Sequence, residues 1–326
     1  MPKIMRDLEV VNVMRTTALT VNGRSVFSDV FPMGEGWYRA MLRVGIVVTI
    51  GTGTGAIAEG ELLIIKNILL RTDRGETLVN LPGRAIFKIA TIKGQTVPRK
   101  DAIAAASATY FVDLPIYFID PMMFRPEDTI LDTSRYNSIS LDIQMGTVAD
   151  LFTTVGTSSI TLTLDFEVER TKGILPPEAQ PAMHINYEFT APIDANSATT
   201  VELTRSPDLA YKRLYVHECS AGSSGVPFSG ANADDVKNIE SVRDQNNFIV
   251  QERIHEQIQN QNKNDYSLET VLAGITVTDF VRADGSLITA LMTGDKTRLQ
   301  YTWTNKAGVA ANDFVTVAYE AIRTLR

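Results

Sequence analysis

The chain has 326 residues, 44% of them hydrophobic and 21% charged, with a formal net charge of −7. That length supports two cores of ordinary size, and the acidic balance argues against coating nucleic acid, which needs a basic surface. A single cysteine, Cys219, rules out an intrachain disulfide, so stability must come from packing.

The first fifteen residues hold charges at Lys3, Arg6, Asp7, Glu9 and Arg15 and no continuous apolar core of a secretory signal. Ile4, Leu8 and Val11 fall at i, i+4 and i+7 with Met14 nearby, a spacing that predicts a short amphipathic helix. Lys3, Arg6 and Arg15 would let such a helix rest on a lipid surface, although Asp7 and Glu9 oppose that. The longest apolar stretch, Val44–Ala58, is too short and too rich in Gly and Thr to span a membrane as a helix.

From Gly36 the pattern becomes that of strands. Tyr38–Ile50, Glu61–Arg71, Ala85–Ile92, Thr109–Ile119, Ser138–Met145 and Ile160–Val168 are rich in Val, Ile, Leu and Thr, and Gly, Pro, Asn and Asp clusters separate them. Short helices are expected at Asp101–Ser107 and Thr147–Phe152. Lys172–Ala182 (K-G-I-L-P-P-E-A-Q-P-A) has prolines at 176, 177 and 181 and reads as a stiff connector, because proline cannot donate to a ladder. Beyond it, strands are predicted at Met183–Thr190, Thr199–Thr204, Lys212–Cys219, Leu268–Val281, Leu287–Met292, Arg298–Thr304 and Asp313–Thr324. Ser220–Asn232 reads as a polar loop. Ile239, Val242, Ile249, Ile254 and Ile258 suggest one or two helices within Ala233–Gln259.

One strand-like ending occurs twice. Ile160–Thr171 (I-T-L-T-L-D-F-E-V-E-R-T) and Val315–Thr324 (V-T-V-A-Y-E-A-I-R-T) align with Thr163 on Thr316, Phe166 on Tyr319, Glu167 on Glu320 and Arg170 on Arg323. Each copy closes one half. The sequence therefore divides into an arm (1–17), a first β-domain (18–172), a linker (173–182) and a second β-domain (183–326).

Catalytic signatures are not apparent in the sequence. His184, His217 and His255 are widely separated, and neighbouring His217, Glu218 and Cys219 would point to alternate faces of a strand. Gly51–Gly55 lacks the spacing of a phosphate loop, and no G-x-S-x-G elbow occurs. Asp113, Asp120, Glu127, Asp128 and Asp132 suit turns and surface, and Asp234-Asp235 lack the spacing of a calcium loop. No catalytic, cofactor or metal residue is assigned, and no enzyme activity is expected.

The strand-rich halves, proline linker and N-terminal arm resemble the double jelly-roll major capsid proteins of tailless icosahedral, membrane-containing bacteriophages (tectivirus, corticovirus and Flavobacterium-phage kinds). The local likeness is best over Tyr117–Phe152, Y-F-I-D-P-M-M-F-R-P-E-D-T-I-L-D-T-S-R-Y-N-S-I-S-L-D-I-Q-M-G-T-V-A-D-L-F. The resemblance implies an all-β fold of two tandem eight-stranded jelly rolls, with a short N-terminal helix and a few helices in loops. It also implies a virion protein, made in the host cytoplasm, whose homotrimers form pseudo-hexagonal capsomers of an icosahedral shell. Partners would be other trimers, penton and minor capsid proteins and an internal lipid membrane, without sequence-specific nucleic-acid binding. Gly222–Asn232 would lie in an exposed outer loop. Lys3, Ile4, Arg6, Leu8, Val11 and Arg15 would face the shell interior or its membrane. The alternatives are a two-domain β-sandwich protein that processes or binds glycans, and a spike or minor capsid protein.

Overall fold

The computed structural model describes residues 8–324 except 29, 53, 95, 121–125, 173–174, 176–182, 223–225, 245–248 and 282–289. The chain forms two compact units that divide after Ile185. In the first unit the main strands are β1 (Leu8–Leu19), β2 (Arg24–Phe27), β3 (Gly36–Thr49), β4 (Ile65–Thr72), β5 (Thr77–Leu81), β6 (Ala108–Tyr117), β7 (Ile139–Met145) and β8 (Ser159–Thr171). Helix α1 (Gly83–Gly94) follows β5. Strands β1-β8-β3-β6 make one sheet and β5-β4-β7-β2 the other.

The second unit repeats this plan strand for strand. Its members are β9 (Met183–Phe189), β10 (Thr200–Glu202), β11 (Leu209–Ser220), β12 (Lys237–Asp244), β13 (Ile249–Ile254), β14 (Ile275–Asp279), β15 (Leu299–Asn305) and β16 (Phe314–Thr324). Helix α2 (His255–Asp265) follows β13, in the position that α1 takes after β5. The order β9-β16-β11-β14 reproduces β1-β8-β3-β6, and β13-β12-β15-β10 reproduces β5-β4-β7-β2. Each unit is thus an eight-stranded jelly roll, as the fold class anticipated.

The repeated endings occupy equivalent places. β8 lies between β1 and β3, and β16 lies between β9 and β11. Phe166 is opposite Leu42 and Tyr319 is opposite Leu214, and both leucines are fully buried. Phe166 meets Phe31 edge to face at 5.3 Å, while Tyr319 meets Tyr211 in the same way at 5.1 Å.

Several local expectations are corrected. Residues from Leu8 onward form a strand in place of the amphipathic helix. Val10, Val11 and Val13 are β-branched, and Leu8–Asn12 pair in register with Thr171–Glu167, so partner strand outweighs helical spacing. Ala85–Ile92 lies in helix α1, not in a strand. Ile86, Phe87, Ile89, Ala90 and Ile92 are all buried, so the run is apolar nearly all round and its period is ambiguous. Asp101–Ser107 is irregular chain, not helix, with the Asp101 N–H donating to the Phe111 carbonyl. Ile239, Val242, Ile249 and Ile254 belong to the β12–β13 hairpin, where Ile239 faces Ile254, and the expected helix, which holds Ile258, begins only at His255. The strand expected over Leu268–Val281 shortens to Ile275–Asp279.

Other expectations hold. Thr147–Phe152 contains a short 3₁₀ turn, Val148–Asp150, closed by a capping box between Thr147 and Asp150. Leu291–Met292 is a strand, and the preceding residues 287–289 lie outside the described residues. Most of the proline segment also lies outside them; Leu175 is buried beside Ile119 and Ile130.

Candidate functional site

Strand pairing and the two helices bring titratable side chains together that are distant in sequence. In the second unit, β11 supplies Glu218, β12 supplies Lys237 and Glu240, and α2 opens with His255. All four are fully or almost fully buried. Lys237 Nζ lies 2.9 Å from Glu240 Oε1 and 3.3 Å from Glu218 Oε1. His255 Nδ1 lies 2.8 Å from Glu240 Oε1 and 3.0 Å from Glu218 Oε1. Thr276 from β14 and Tyr301 from β15 donate to Glu240 Oε2. The backbone N–H groups of Val236 and Lys237 donate to Glu218 Oε2 at 3.2 and 2.9 Å.

Burial would raise the Glu240 carboxyl, but Lys237, His255 and Tyr301 outweigh it and hold the group at about 2. Glu218 is raised, because burial exceeds the help it receives from Lys237 and His255. For His255, burial favours the neutral ring, and contacts with Asp234 and Glu240 reverse that and raise it above 6.5. Its Nε2 stands 3.6 Å from Asp234 Oδ1, an ion-pair distance and too long for a hydrogen bond.

The ligand atoms of Glu218, Glu240 and His255 lie within 4.8 Å of one another, close enough to hold a metal ion. Lys237, however, places its ammonium against both carboxylates, so the positive charge such a trio needs is built in. This is an internal ion network, not an open coordination site. Asp234 is likewise engaged, accepting from the Gly274 N–H at 2.7 Å and from Gln259 at 2.6 Å.

A second network in this unit joins Lys212, Arg213, Tyr215 and Glu320. Lys212 Nζ is 3.1 Å, and the Tyr215 hydroxyl 2.9 Å, from the Glu320 carboxylate. Arg213 bridges Glu320 at 3.4 Å and Asp279 at 2.7 Å. The first unit has its own cluster where α1 begins. Glu59 accepts from Arg84 at 2.7 Å and Lys88 at 3.0 Å, and Lys100 donates to the buried Glu61 at 3.0 Å. Burial would raise Glu59, but Arg84 and Lys88 hold it at about 2.

These networks use their charges internally and leave no nucleophile–base pair facing a cleft among the described residues. Two grooves among the described residues are lined mainly by polar side chains. One, on β1, β3 and β8, is lined by Asn12, Arg15, Arg43, Asp165 and Glu167. The other, on the β10-β15-β12-β13 sheet, is floored by hydroxyls such as Thr200, Ser241, Thr302 and Thr304.

The residues singled out from sequence are placed as follows. Lys3, Ile4 and Arg6 lie outside the described residues. Leu8, Val11 and Arg15 lie on β1, with Leu8 and Val11 half-buried and Arg15 exposed. Phe228, inside the loop expected to be exposed, is buried and stacks on His217 at 4.9 Å, so that part of the loop folds back onto β11. Asp113 pairs with Arg43 at 2.7 Å, and Asp132 accepts from the Ser134 N–H. Linear spacing carried no signal for the cluster of Glu218, Lys237, Glu240 and His255. Charged residues inside strands flanked by aliphatic ones were the available hint.

No protein-family model matches the sequence, and no curated protein is similar to it. Solved structures are similar over nearly the whole chain. The major capsid protein of Sulfolobus turreted icosahedral virus superimposes with a TM-score of 0.71 at 14% identity, covering 98% of this chain and 97% of that one. Major capsid protein P2 of bacteriophage PM2 gives 0.64 at 11% identity, with 98% of each chain covered. VP54 of PBCV-1 gives 0.65 at 9% identity, covering 98% of this chain and 94% of that one. The chain therefore has the fold of the double jelly-roll major capsid proteins.

Proposed function

We propose that this chain is the major capsid protein of an icosahedral virus, located in the virion and acting by self-assembly without catalysis. The observation that carries the reading is the strand-for-strand repeat of one jelly roll in both units. Three copies of a chain with two similar units present six similar modules, which suits a pseudo-hexagonal capsomer that tiles flat facets. The buried ion networks pair their charges with one another, which fits a structural role.

Beyond self-assembly, the proposal includes contacts with penton and minor capsid proteins and a shell built over an internal membrane. Lys3, Ile4 and Arg6 would reach the inner face, with Leu8, Val11 and Arg15 at the strand-bound root of that arm. Because β1 starts at Leu8, the informative truncation removes residues 1–7 only. Trimers should persist while binding to anionic vesicles falls; unchanged vesicle binding counts against the inner-face role.

Electron microscopy and sedimentation of the purified protein test the main reading. Trimers with a hexagonal outline are the expected result. A monomer that binds oligosaccharide would replace the capsid reading with a glycan-binding one.

A further inference from the structure

Sheet edges are the places where one chain can template onto another, and this chain treats its edges unequally. The outer edge of β6 is covered from within the unit. Lys100 bridges to Val112, the Asp101 N–H donates to the Phe111 carbonyl, and the Asp113 N–H donates to the Arg99 carbonyl. The outer edge of β14 is closed by a side chain. The Asn262 amide donates to the Val277 carbonyl at 2.9 Å and accepts from the Val277 N–H at 2.7 Å, standing in for a neighbouring strand. Strands β2 and β10 are only four and three residues long.

Two longer end strands, β1 and β13, present an open edge among the described residues. β1 is bordered by β8 alone, and β13 by β12 alone. Both expose aliphatic side chains: Val10 at 58% on β1, and Ile249 at 45%, Val250 at 37% and Ile254 at 41% on β13. Three exposed aliphatic residues in a six-residue edge strand are a liability in a monomer. The regular part of β1 is of matching length. Leu8–Asn12 pair continuously with β8 before bulges interrupt the register, and Thr16 then adopts a left-handed φ of 46°. Five or six residues at about 3.3 Å each give two edges of roughly 17–20 Å. Charge does not oppose the pairing, since Glu9 on β1 is neutralised by Arg170 at 2.9 Å and β13 carries Glu252 beside Arg253.

We infer that the Leu8–Asn12 edge of one copy docks against the β13 edge of the next, and that this contact joins the subunits. The two edges differ, so the contact is heterologous, and three copies joined head to tail close a ring with no such edge left over. Main-chain hydrogen bonds would supply the pairing, and Val10, Ile249, Val250 and Ile254 the apolar cover. This inference rests on the trimeric capsomer proposed above and specifies how it is joined.

Cysteine cross-linking of the full chain tests it, because the only native cysteine, Cys219, is buried. Val10→Cys is combined in turn with Ile249→Cys, Val250→Cys, Gln251→Cys and Glu252→Cys under mild oxidation. At least one double variant should give a covalent trimer on denaturing gels, while each single variant stays monomeric there. In a second arm, Val250→Lys with Ile254→Lys should leave the circular dichroism spectrum unchanged and raise the concentration for trimer dissociation at least tenfold. A wild type that trimerises while no cysteine pairing cross-links, or while the lysine variant trimerises as tightly, overturns the edge contact and leaves the capsid reading intact. A wild type that never trimerises overturns both.

Discussion

Strands β8 and β16 share their sequence pattern and their place in the fold, yet their environments differ. In β8, Leu162, Leu164, Phe166 and Val168 are buried while Thr163, Asp165, Glu167 and Glu169 are half-exposed on the other face. In β16 the core-facing Val315, Val317, Tyr319 and Ala321 are buried, and so are Thr316, Ala318, Glu320 and Ile322 opposite them. Glu167 and Glu320, the same residue in the repeat, therefore meet opposite demands. Glu167 can be solvated. Glu320 must be neutralised, and Lys212, Arg213 and Tyr215 do so. A repeated sequence fixes strand order and register, and the outward face is free to diverge.

Substitutions at the paired positions would break or sharpen this contrast. The largest difference is expected for Glu320→Ala, which removes the carboxylate shared by the buried Lys212 and Arg213 and should cost about 3–5 kcal/mol in denaturant unfolding. Glu167→Ala should stay within about 0.5 kcal/mol. Equal costs would mean that the two outward faces are energetically alike. Next comes Tyr319→Phe. Its hydroxyl donates to Glu188, and losing that bond should cost about 1–2 kcal/mol. Phe166, which carries no such hydroxyl, sets the baseline for the ring alone.

A pH series extends the comparison to the ion networks around the helices. The first unit's cluster relies on Arg84, Lys88 and Lys100, whereas the second includes His255. The folded His255 is raised above 6.5, so its contribution is complete below that value and is lost as pH rises through the raised one. Amide exchange in α2 should therefore quicken from pH 6 to pH 9 more than in α1, and His255→Gln should remove that difference. Glu59 behaves oppositely. Held at about 2, it stabilises above its ordinary 4.5 and loses that contribution as pH falls toward 2. An α2 whose exchange, corrected for intrinsic rate, is unchanged over the alkaline range would contradict the assigned role of His255.

Much of the architecture was legible because half-buried strands alternate. Ile139, Leu141, Ile143 and Met145 in β7, and the β8 series, announce their faces directly. The two helices were not legible. α1 is buried on nearly every side, which erases its period, and α2 follows a hairpin whose isoleucines mimic a helical stripe. The N-terminal strand was missed for a related reason, since its partner lies at the far end of the same unit. The ion networks stayed hidden because adjacency along the chain says nothing about Glu218 meeting His255 across three elements.

The single thiol has a consequence for how the fold meets a change of redox surroundings. Cys219 is 1% exposed on β11, with its sulfur toward the Phe314 carbonyl. Passing from a reducing interior to an oxidising exterior then offers the chain no bond to form and none to break. The folded chain keeps the same covalent connections in reducing and in oxidising surroundings.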